Sequence, residues 1–477
     1  MAVVKTDSQY YSHIAAAIRS KSGTNQQYKP AEMSSAILGL ETGGQNSTII
    51  VYAPTGAQVT AACGDDVRTS TENEGVWRFP NCGLGTWLIT ASKDGLTNTA
   101  SVEIKEKGQL MRYEVGVSLI GIFGIMRDIT SSSPLWTRTD VSENFSAVPS
   151  IATTSGYSDF DNYYPWREIR RETLSTGDVM VRIPKFWYRR YREGNTEYLK
   201  IADRAQDGYK LHPAFKHAGV ETDAIYVGVY KTSAEGKSVS GVTPYRGVNR
   251  GQHRSVAKSK GTGWGIVDIA TLSALQMLYL VEYATYNCQK AIGRGVCDTN
   301  AVKNTGLTDD MYENVGHTGR LATEDSGAVN MLWRGLEDLW GNVLEYVDGL
   351  IPCGTQSKYY VCNDPSAYSD SSKSAYAALS YSMPAVTSYT YISRVGLDSV
   401  YDYIMLPSEA SGADYETYIC DAMIQLSNYE SNSAKYGGKY FSTNKTGLFK
   451  LQANSNYSAT DNYCGSRLLF IPQQASA

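Results

Sequence analysis

In the first part of the chain, residues 1–44, apolar residues recur three or four positions apart. They are Tyr10, Ile14 and Ile18 in a first run, and Met33, Ile37 and Leu40 in a second run after Pro30. This spacing predicts two short helices, each with one apolar face. A helix pair of this size cannot bury a core of its own, so we expect it to dock onto a partner or onto other copies of the chain.

The pattern changes in residues 45–107, where short β-rich runs are separated by Gly, Asn and Asp turns. Runs such as STIIVYAP and TWLITAS are typical of strands, and their succession predicts a small β-sandwich. The stretch from Ala53 to Ser92 also resembles carboxypeptidase-regulatory-like and related immunoglobulin-like modules, which serve as spacers. We therefore expect residues 45–107 to form an immunoglobulin-like spacer.

Residues 108–149 are expected to form a connector, and residues 150–477 contain no linker, repeat or charge block that would divide them. Strand-like runs are mixed there with one clear helix, Thr271–Cys288, whose apolar residues cover most of its circumference. A helix that is apolar on so many sides belongs to a core. The chain is therefore expected to be an α+β multidomain protein, with short N-terminal helices, a small immunoglobulin-like sandwich and one large domain.

Composition narrows the classes of function. The net charge of −4 over 477 residues gives no basic surface, so no nucleic-acid partner is expected. The chain has 36 Tyr but only 9 Phe, although each buried phenol needs a hydrogen-bond partner. Tyr suits surfaces that recognise other molecules, because it is large, stiff and half polar. Tyr-rich strands with two different faces are the alternative explanation.

The sequence contains no familiar motif of a catalytic or metal site. The eight cysteines form no CxxC and the five histidines form no HExxH, so neither a metal, a cofactor nor an enzymatic activity is expected. The cysteines are expected to be buried free thiols. Pairing of Cys63 with Cys82, or of Cys353 with Cys362, stays open if the protein ends up outside a cell.

Two further alternatives concern acidic residues and membranes. The acidic pairs Asp309-Asp310 and Glu337-Asp338 keep a glycan hydrolase open, because that chemistry uses two carboxylates that face one another across a cleft. No apolar run approaches the length of a membrane span, and the first residues are not typical of a signal peptide. Membrane insertion is therefore not expected.

The most patterned segment is RGLEDLWGNVLEYVDG, Arg334 to Gly349. Together with YCGSRLLF, Tyr463 to Phe470, it resembles the formylglycine-generating-enzyme-like branch of the C-type lectin fold. The resemblance implies a C-type lectin-like domain over residues 150–477. It also implies a structural brace that holds irregular loops in place. The expected brace residues are Gly335, Asp338, Trp340, Gly341, Asn342, Glu345, Gly465 and Arg467.

The chain departs from the catalytic and calcium-binding members of this fold. It has no close cysteine pair for copper, no histidine set for iron, and no Glu-Pro-Asn or Gln-Pro-Asp tripeptide for calcium-dependent sugar binding. The remaining use of the fold is the display of variable loops, as in phage receptor-binding proteins and retroelement-diversified variable proteins. The N-terminal stretch YYSHIAAAIRSKSGTNQQYKPAEMSSAI also resembles the start of tail-fibre and baseplate proteins of phages that infect Gram-positive or gut bacteria.

The C-terminal region, from about residue 350 onward, relies on Tyr, Ser and Asn instead of charge. Such a mixture provides rigid contacts and adaptable hydrogen bonds. Its segment KLQANSNYSATDNYCGSRLLF occupies the position in which retroelement-diversified relatives vary. The expected ligand-binding residues are Tyr436, Tyr440, Asn454, Asn456, Tyr457, Asn462 and Tyr463. The alternative is that these are ordinary loop and turn residues.

Residues and resemblance together predict a non-enzymatic receptor-binding protein of a bacteriophage virion, made in the host cytoplasm. Residues 1–44 are expected to attach a homotrimer to tail or baseplate proteins. The C-terminal loops are expected to bind a bacterial surface receptor, either protein or glycan, and so to mediate host adsorption. Two alternatives stay open. One is an enzyme of the same fold branch, such as an oxidase or a glycan depolymerase, and the other is a purely structural tail component.

Overall fold

The computed structural model describes residues 15–16, 29, 33, 47–73, 75–93, 96–105, 112–116, 121–217, 219–425 and 428–472. The chain divides into two compact units, residues 1–120 and residues 121–477. Strands predominate and helices are few, which confirms the predicted α+β multidomain class. The two helices predicted within residues 1–44 lie outside the described residues, apart from four isolated positions.

The first unit contains a small β-sandwich. Its described strands are β1 (Ser47–Tyr52), β2 (Gln58–Cys63), β3 (Asp66–Thr69), β4 (Val76–Cys82), β5 (Gly85–Lys93), β6 (Leu96–Ile104) and β7 (Arg112–Gly116). Two sheets, ordered β4-β1-β7 and β3-β2-β5-β6, enclose one apolar core. Alternate residues of β4 and β5 point inward, so Trp77, Phe79 and Trp87 are buried there. The predicted sandwich is present, and β7 extends it past residue 107 by pairing in parallel with β1.

The second unit mixes many short strands with few helices. Its described strands are β8 (Ile122–Asp128), β9 (Thr137–Asp140), β10 (Ala147–Val148), β11 (Ser150–Ile151), β12 (Tyr157–Ser158), β13 (Arg170–Thr173), β14 (Val179–Pro184), β15 (Trp187–Glu193), β16 (Thr196–Ala202), β17 (Lys210–Leu211), β18 (Lys216–His217), β19 (Val220–Glu221), β20 (Ala224–Lys231), β21 (Trp264–Ile266), β22 (Gly319–Arg320), β23 (Met331–Trp333), β24 (Leu336–Glu337), β25 (Leu344–Tyr346), β26 (Leu350–Cys353), β27 (Lys358–Val361), β28 (Ala377–Ala378), β29 (Thr390–Tyr391), β30 (Arg394–Val395), β31 (Pro407–Glu409), β32 (Ala422–Gln425), β33 (Lys435–Gly437), β34 (Gly447–Ala453), β35 (Cys464–Gly465) and β36 (Arg467–Phe470). Its described helices are α1 (Arg250–Lys258), α2 (Ile269–Tyr283), α3 (Cys288–Ala291) and α4 (Asp309–Asn314), with single 3-10 turns at Asp159–Asn162, Trp166–Glu168, Pro213–Phe215 and Thr443–Lys445.

Three sheets organise this unit. Their strand orders are β13-β14-β20-β36-β21, β17-β15-β16-β8-β9 and β29-β32-β34-β33-β25-β35. The first and third sheets are connected near the C-terminal end of the chain. Strand β35 belongs to the third sheet, and the next strand, β36, belongs to the first. Both strands lie within Tyr463–Phe470, the second motif on which the resemblance to the C-type lectin fold rests.

The predicted connector, residues 108–149, is divided between the two units. Strand β8 pairs with β16 along its whole length and with β9 on its other edge. Its residues Phe123 and Ile125 are buried in the main core. A strand that is paired on both edges and buried on one face is part of a domain. The predicted start of the large domain at residue 150 is therefore corrected to residue 121.

Helix α2 forms the predicted core helix, although it begins and ends earlier than Thr271–Cys288. It begins after Asp268, whose carboxylate accepts a hydrogen bond from the Thr271 N–H at 2.8 Å. It ends at Tyr283 because Ala284 takes a left-handed backbone conformation with φ 52°. Every residue from Ile269 to Glu282 is buried, which confirms that the helix is a core element.

Candidate recognition surface

The predicted brace centres on the buried carboxylate of Glu345. Lys231 Nζ donates to its Oε1 at 2.6 Å, and Tyr436 Oη donates to its Oε2 at 2.7 Å. Arg467 Nη2 donates to Oε1 at 2.8 Å. Burial alone would raise the pKa of Glu345, but Arg467 and Lys231 outweigh it and lower the pKa to about 2. One charged carboxylate thus joins β25 to β20, β33 and β36.

Arg467 and Asn342 hydrogen-bond backbone groups of several neighbouring segments. Arg467 donates to four carbonyl oxygens at 2.7 to 3.0 Å, those of Gly228, Val229, Glu337 and Asp338. The Asn342 amide accepts from the N–H of Lys303 and donates to the carbonyl of Lys303, each at 3.0 Å. Irregular backbone can be buried only when such groups find partners, so these two side chains stabilise the loops around them.

The other predicted brace residues lie in the same region. Gly335 and Gly341 have φ of 83° and 86°, and a Cβ at Gly341 would meet the Val296 carbonyl oxygen at 2.8 Å. Trp340 Nε1 donates to the Gly293 carbonyl at 3.0 Å. Asp338 accepts a hydrogen bond from the Asn342 amide at 3.1 Å. All eight predicted brace residues, including Gly465, are buried.

The brace determines where two C-terminal loops leave the sheet. Strand β25 pairs antiparallel with β33 and parallel with β35. The end of β33 and the start of β35 therefore lie at the same end of β25, next to Asn342. At that end, the Asn342 carbonyl accepts from the Tyr440 N–H at 2.9 Å, and the Tyr463 carbonyl accepts from the Leu344 N–H at 3.0 Å.

These two loops present a cluster that we call the aromatic patch: Lys439, Tyr440, Phe441 and Tyr463. The ring centroids of Tyr440 and Phe441 are 4.7 Å apart, and those of Phe441 and Tyr463 are 5.0 Å apart. Lys439 Nζ lies 4.1 Å from the Phe441 centroid and 4.2 Å from the Tyr463 centroid. Phe441 is 42% exposed and Tyr463 is 39% exposed, so the patch faces solvent. Exposed rings in contact with one another favour binding of another molecule.

Local hydrogen bonds hold both loops in one conformation. Ser442 Oγ accepts from the Lys439 N–H at 3.1 Å, and the Tyr440 carbonyl accepts from the Thr299 N–H at 2.7 Å. In the second loop, Asp461 Oδ1 accepts from the Tyr463 N–H at 2.8 Å. A surface that is already ordered loses less conformational entropy on binding.

Two residues from distant parts of the chain are hydrogen-bonded to Asn462 or to Asn342, the neighbours of the patch. Arg246 Nη1 donates to the Asn462 carbonyl at 3.3 Å, next to Tyr463. Lys303 is joined through its backbone to Asn342, which in turn holds Tyr440, and its side chain is exposed. Arg246 therefore places a second cation beside the aromatic patch.

The predicted ligand-binding residues separate into three groups. Tyr440, Asn462 and Tyr463 lie together at the aromatic patch. Tyr436 does not belong there, since it is only 1% exposed and its phenol is bound to Glu345. The prediction for Tyr436 is therefore wrong. Its position on β33 directs the ring inward, and burial raises the pKa of its phenol well above the usual value.

The third group lies beside Ser431 and Asn432 and consists of Asn454, Asn456 and Tyr457. Asn456 forms a bridge with Asn432, and its amide oxygen accepts from Ser458. The Tyr457 N–H donates to the Ser431 carbonyl at 3.1 Å. All three side chains are half-buried. Among the described residues, no hydrogen bond or ring contact joins these three residues to the aromatic patch.

Lys439 and Phe441 are residues of the patch that the sequence analysis missed. They lie in the run GGKYFS, where two glycines with φ of 87° and 97° precede adjacent cationic and aromatic residues. An aromatic pair directly after a Gly-Gly turn was the available signal, because such rings have no strand of their own to pack against. Arg246 carries no comparable signal, since only the tertiary structure brings it to the patch.

Comparison with known proteins leaves the family of this chain open. No family model matches the chain, and no curated protein matches it. Among solved structures, a Bacteroides vulgatus protein described as a candidate pore-forming toxin is 15% identical, with a TM-score of 0.12 over 39% of this chain and 76% of that chain. A likeness at this TM-score carries no argument about fold or function.

In each acidic pair that left a glycan hydrolase open, a carboxylate is hydrogen-bonded within the fold. Glu337 is buried and accepts from the N–H groups of Gly306 and Thr308, each at 2.8 Å. Asp309 accepts from Arg171 at 2.7 Å. A cavity of about 640 Å³ opens elsewhere, against α1, β21 and the end of β36, and neither pair lines it.

The structure also bears on metals, thiols and membranes. In the described part of the chain, no group of three or more His, Cys, Asp or Glu residues is placed to hold a metal ion. All eight cysteines are free, including the two pairs that the sequence left open. Within the same residues, no helix combines the length and apolar character needed to cross a bilayer.

Proposed function

We propose that this protein is a receptor-binding protein of a bacteriophage tail, and that the aromatic patch binds a receptor on the bacterial surface. The observation that carries the proposal is the ordered display of exposed rings by two loops that leave one end of the brace. The resemblances of the N-terminal stretch to tail fibres and of the brace motif to loop-displaying C-type lectin folds support it. Recognition by such a surface needs no catalytic residue and no cofactor.

The rest of the chain fits this proposal as an attachment and a spacer. Residues 1–44 would attach a homotrimer to tail or baseplate proteins, and the sandwich of the first unit would extend the binding domain. Three copies of one site raise the effective concentration of each site once the first has bound. A single patch of modest affinity therefore suffices for firm adsorption.

Cell binding tests the proposal. Fluorescently labelled full-length protein is incubated with a panel of Gram-positive and gut bacteria, and bound protein is measured by flow cytometry. We expect saturable binding to some strains and dose-dependent blocking of phage adsorption on those strains. The double variant Phe441→Ala/Tyr463→Ala is expected to lose at least about tenfold in apparent affinity, because it removes two exposed aromatic contacts.

A matched control separates recognition from general loss of exposed aromatic area. Tyr157 and Tyr415 are exposed to a similar extent, at 59% and 40%, and lie outside the patch. The variant Tyr157→Ala/Tyr415→Ala is expected to bind cells as the wild type does. Folded protein that binds no strain, yet forms a stable complex with tail proteins through residues 351–477, would favour the structural alternative. Loss of surface glycan during incubation would favour the depolymerase.

A further inference from the structure

The aromatic patch contains a cation without a counter-ion. Lys439 Nζ lies over two rings, and the described part of the chain contains no ion pair of Lys439. The carboxylate of Asp461 is engaged by Lys435 at 2.8 Å. Burial lowers the pKa of Lys439 below its usual value, so the folded chain holds this ammonium group at a cost. An anion that binds beside Lys439 would offset that cost.

A flanking cation strengthens this electrostatic character. Arg246 also lacks an ion pair among the described residues. Arg246 reaches the second loop through its hydrogen bond to the Asn462 carbonyl. Two unpaired cations, Lys439 and Arg246, beside a group of exposed rings give a locally positive surface on a chain whose net charge is −4.

Amide and hydroxyl groups surround the rings and cations. Asn462, next to Tyr463, is exposed, and Ser442 and Thr299 lie in or against the first loop. The centres of protein–protein interfaces contain few charged residues, whereas this patch contains Lys439. Flat ring faces, cations and amides are instead complementary to the apolar faces, acidic groups and hydroxyls of charged sugars.

We propose that the aromatic patch recognises an anionic surface glycan, with Lys439 contacting its carboxylate or phosphate group and the rings of Phe441 and Tyr463 contacting its sugar faces. This inference rests on the proposed function and adds the chemical class of the receptor. Arg246 provides longer-range attraction, so binding weakens as salt concentration rises.

The test uses full-length protein and the polysaccharide purified from a strain to which the protein binds. Binding is measured to the native polymer, to the polymer with its carboxylates chemically reduced, and to the polymer freed of phosphate. We expect one of the two treatments to abolish binding, which identifies the anionic group. Lys439→Gln is expected to lose at least about tenfold in affinity, the usual effect of removing one charge-assisted contact.

Two further variants make the result specific. Lys439→Arg keeps the charge, so it is expected to bind the polymer within about threefold of wild type, although the wider guanidinium changes the local geometry. Wild-type binding is expected to weaken as pH rises through the pKa of Lys439, whereas Lys439→Arg keeps its affinity over that range because Arg stays charged. Lys258→Gln removes an exposed lysine without an ion pair at α1 and is expected to leave binding unchanged.

The outcomes separate this inference from the proposed function. If Lys439→Gln binds cells and polymer as the wild type does, while Phe441→Ala/Tyr463→Ala loses cell binding, the glycan inference is overturned and the receptor function stands. Loss of binding after protease treatment of the cells would also overturn it, since the receptor would then be a protein. If the wild-type protein binds no cells, the proposed function itself fails.

Discussion

Glu345 illustrates how one buried charge can organise a fold with many loops. It is fully buried, and it contacts Lys231, Tyr436 and Arg467 from three other strands. Placing a carboxylate in the interior is costly, and the cost is offset only if every partner stays in place. The brace is therefore sensitive to removal of a single partner.

The first prediction at the residue scale concerns Arg467. Arg467→Met removes one cation from Glu345 and leaves four carbonyl groups without their donor. We expect the free energy of unfolding to fall by about 3–5 kcal/mol, measured by urea denaturation. Arg189 is exposed, so Arg189→Met serves as the control and should change stability by less than about 0.5 kcal/mol. An Arg467→Met variant as stable as wild type would contradict the role of the brace.

The second prediction concerns Asp338 and pH. Burial, reinforced by neighbouring Glu337, raises the pKa of Asp338 from 3.8 to about 7. Between these values the folded chain binds more protons at this site than the unfolded chain does. The contribution of Asp338 to the free energy of unfolding is therefore fully present below pH 3.8 and declines as pH rises from 3.8 to about 7.

Asp338→Asn tests this dependence, because an amide does not titrate. We expect the free energy of unfolding to decline less in the variant than in the wild type between pH 4 and pH 7. The two declines are expected to differ by roughly 1 kcal/mol or more. Urea denaturation at several pH values gives the slopes directly. Asp364→Asn is the control at a half-buried residue, whose carboxylate has a pKa that is instead lowered by hydrogen bonds from Ser366. Equal slopes in Asp338→Asn and wild type would count against the buried, raised pKa.

At the scale of elements, α2 is the central helix of the second unit. It is buried from Ile269 to Glu282, and it packs against strands β8 and β16. Its sequence pattern predicted burial on most sides, and the structure confirms that. The end of the helix escaped prediction, because apolar residues continue past Tyr283 and only the left-handed conformation of Ala284 stops it.

The prediction at this scale is the loss of stability when α2 loses a core side chain. Leu275 is fully buried within the main apolar core. We expect Leu275→Ala to lower the free energy of unfolding by about 2–5 kcal/mol, because the cavity is only partly filled by relaxation. Val400 is 69% exposed, and Val400→Ala should change stability by less than about 0.5 kcal/mol. Similar losses in both variants would contradict the placement of α2.

At the scale of the whole molecule, the boundary between the two units decides which fragment can fold. The sequence suggested residue 150 as the start of the large domain, whereas the structure places the boundary at residue 121. The difference is strand β8, which supplies a partner for β16 and two buried side chains. Sequence pattern alone could not assign β8 to either unit, because its partner lies about seventy residues further along the chain.

Two fragments test the boundary. Residues 121–477 are expected to unfold cooperatively, at a midpoint close to that of the same unit in the full chain, in a circular dichroism melt. Residues 150–477 lack β8 and are expected to be poorly folded, because β16 would expose an unpaired edge and the core would lose Phe123 and Ile125. Identical melting curves for the two fragments would contradict the revised boundary.

The sequence by itself determined the features that depend on local pattern: the alternating strands of the sandwich, the buried helix α2 and the residues of the brace motif. Tyr440, Asn462 and Tyr463 were also predicted as ligand-binding residues from composition and position. Only the tertiary structure decided which of them share a surface. Pairing of β25 with β33 and β35 brings Tyr440 to Tyr463 and turns Tyr436 inward. Such pairing joins residues that are distant in sequence, and no local periodicity encodes it.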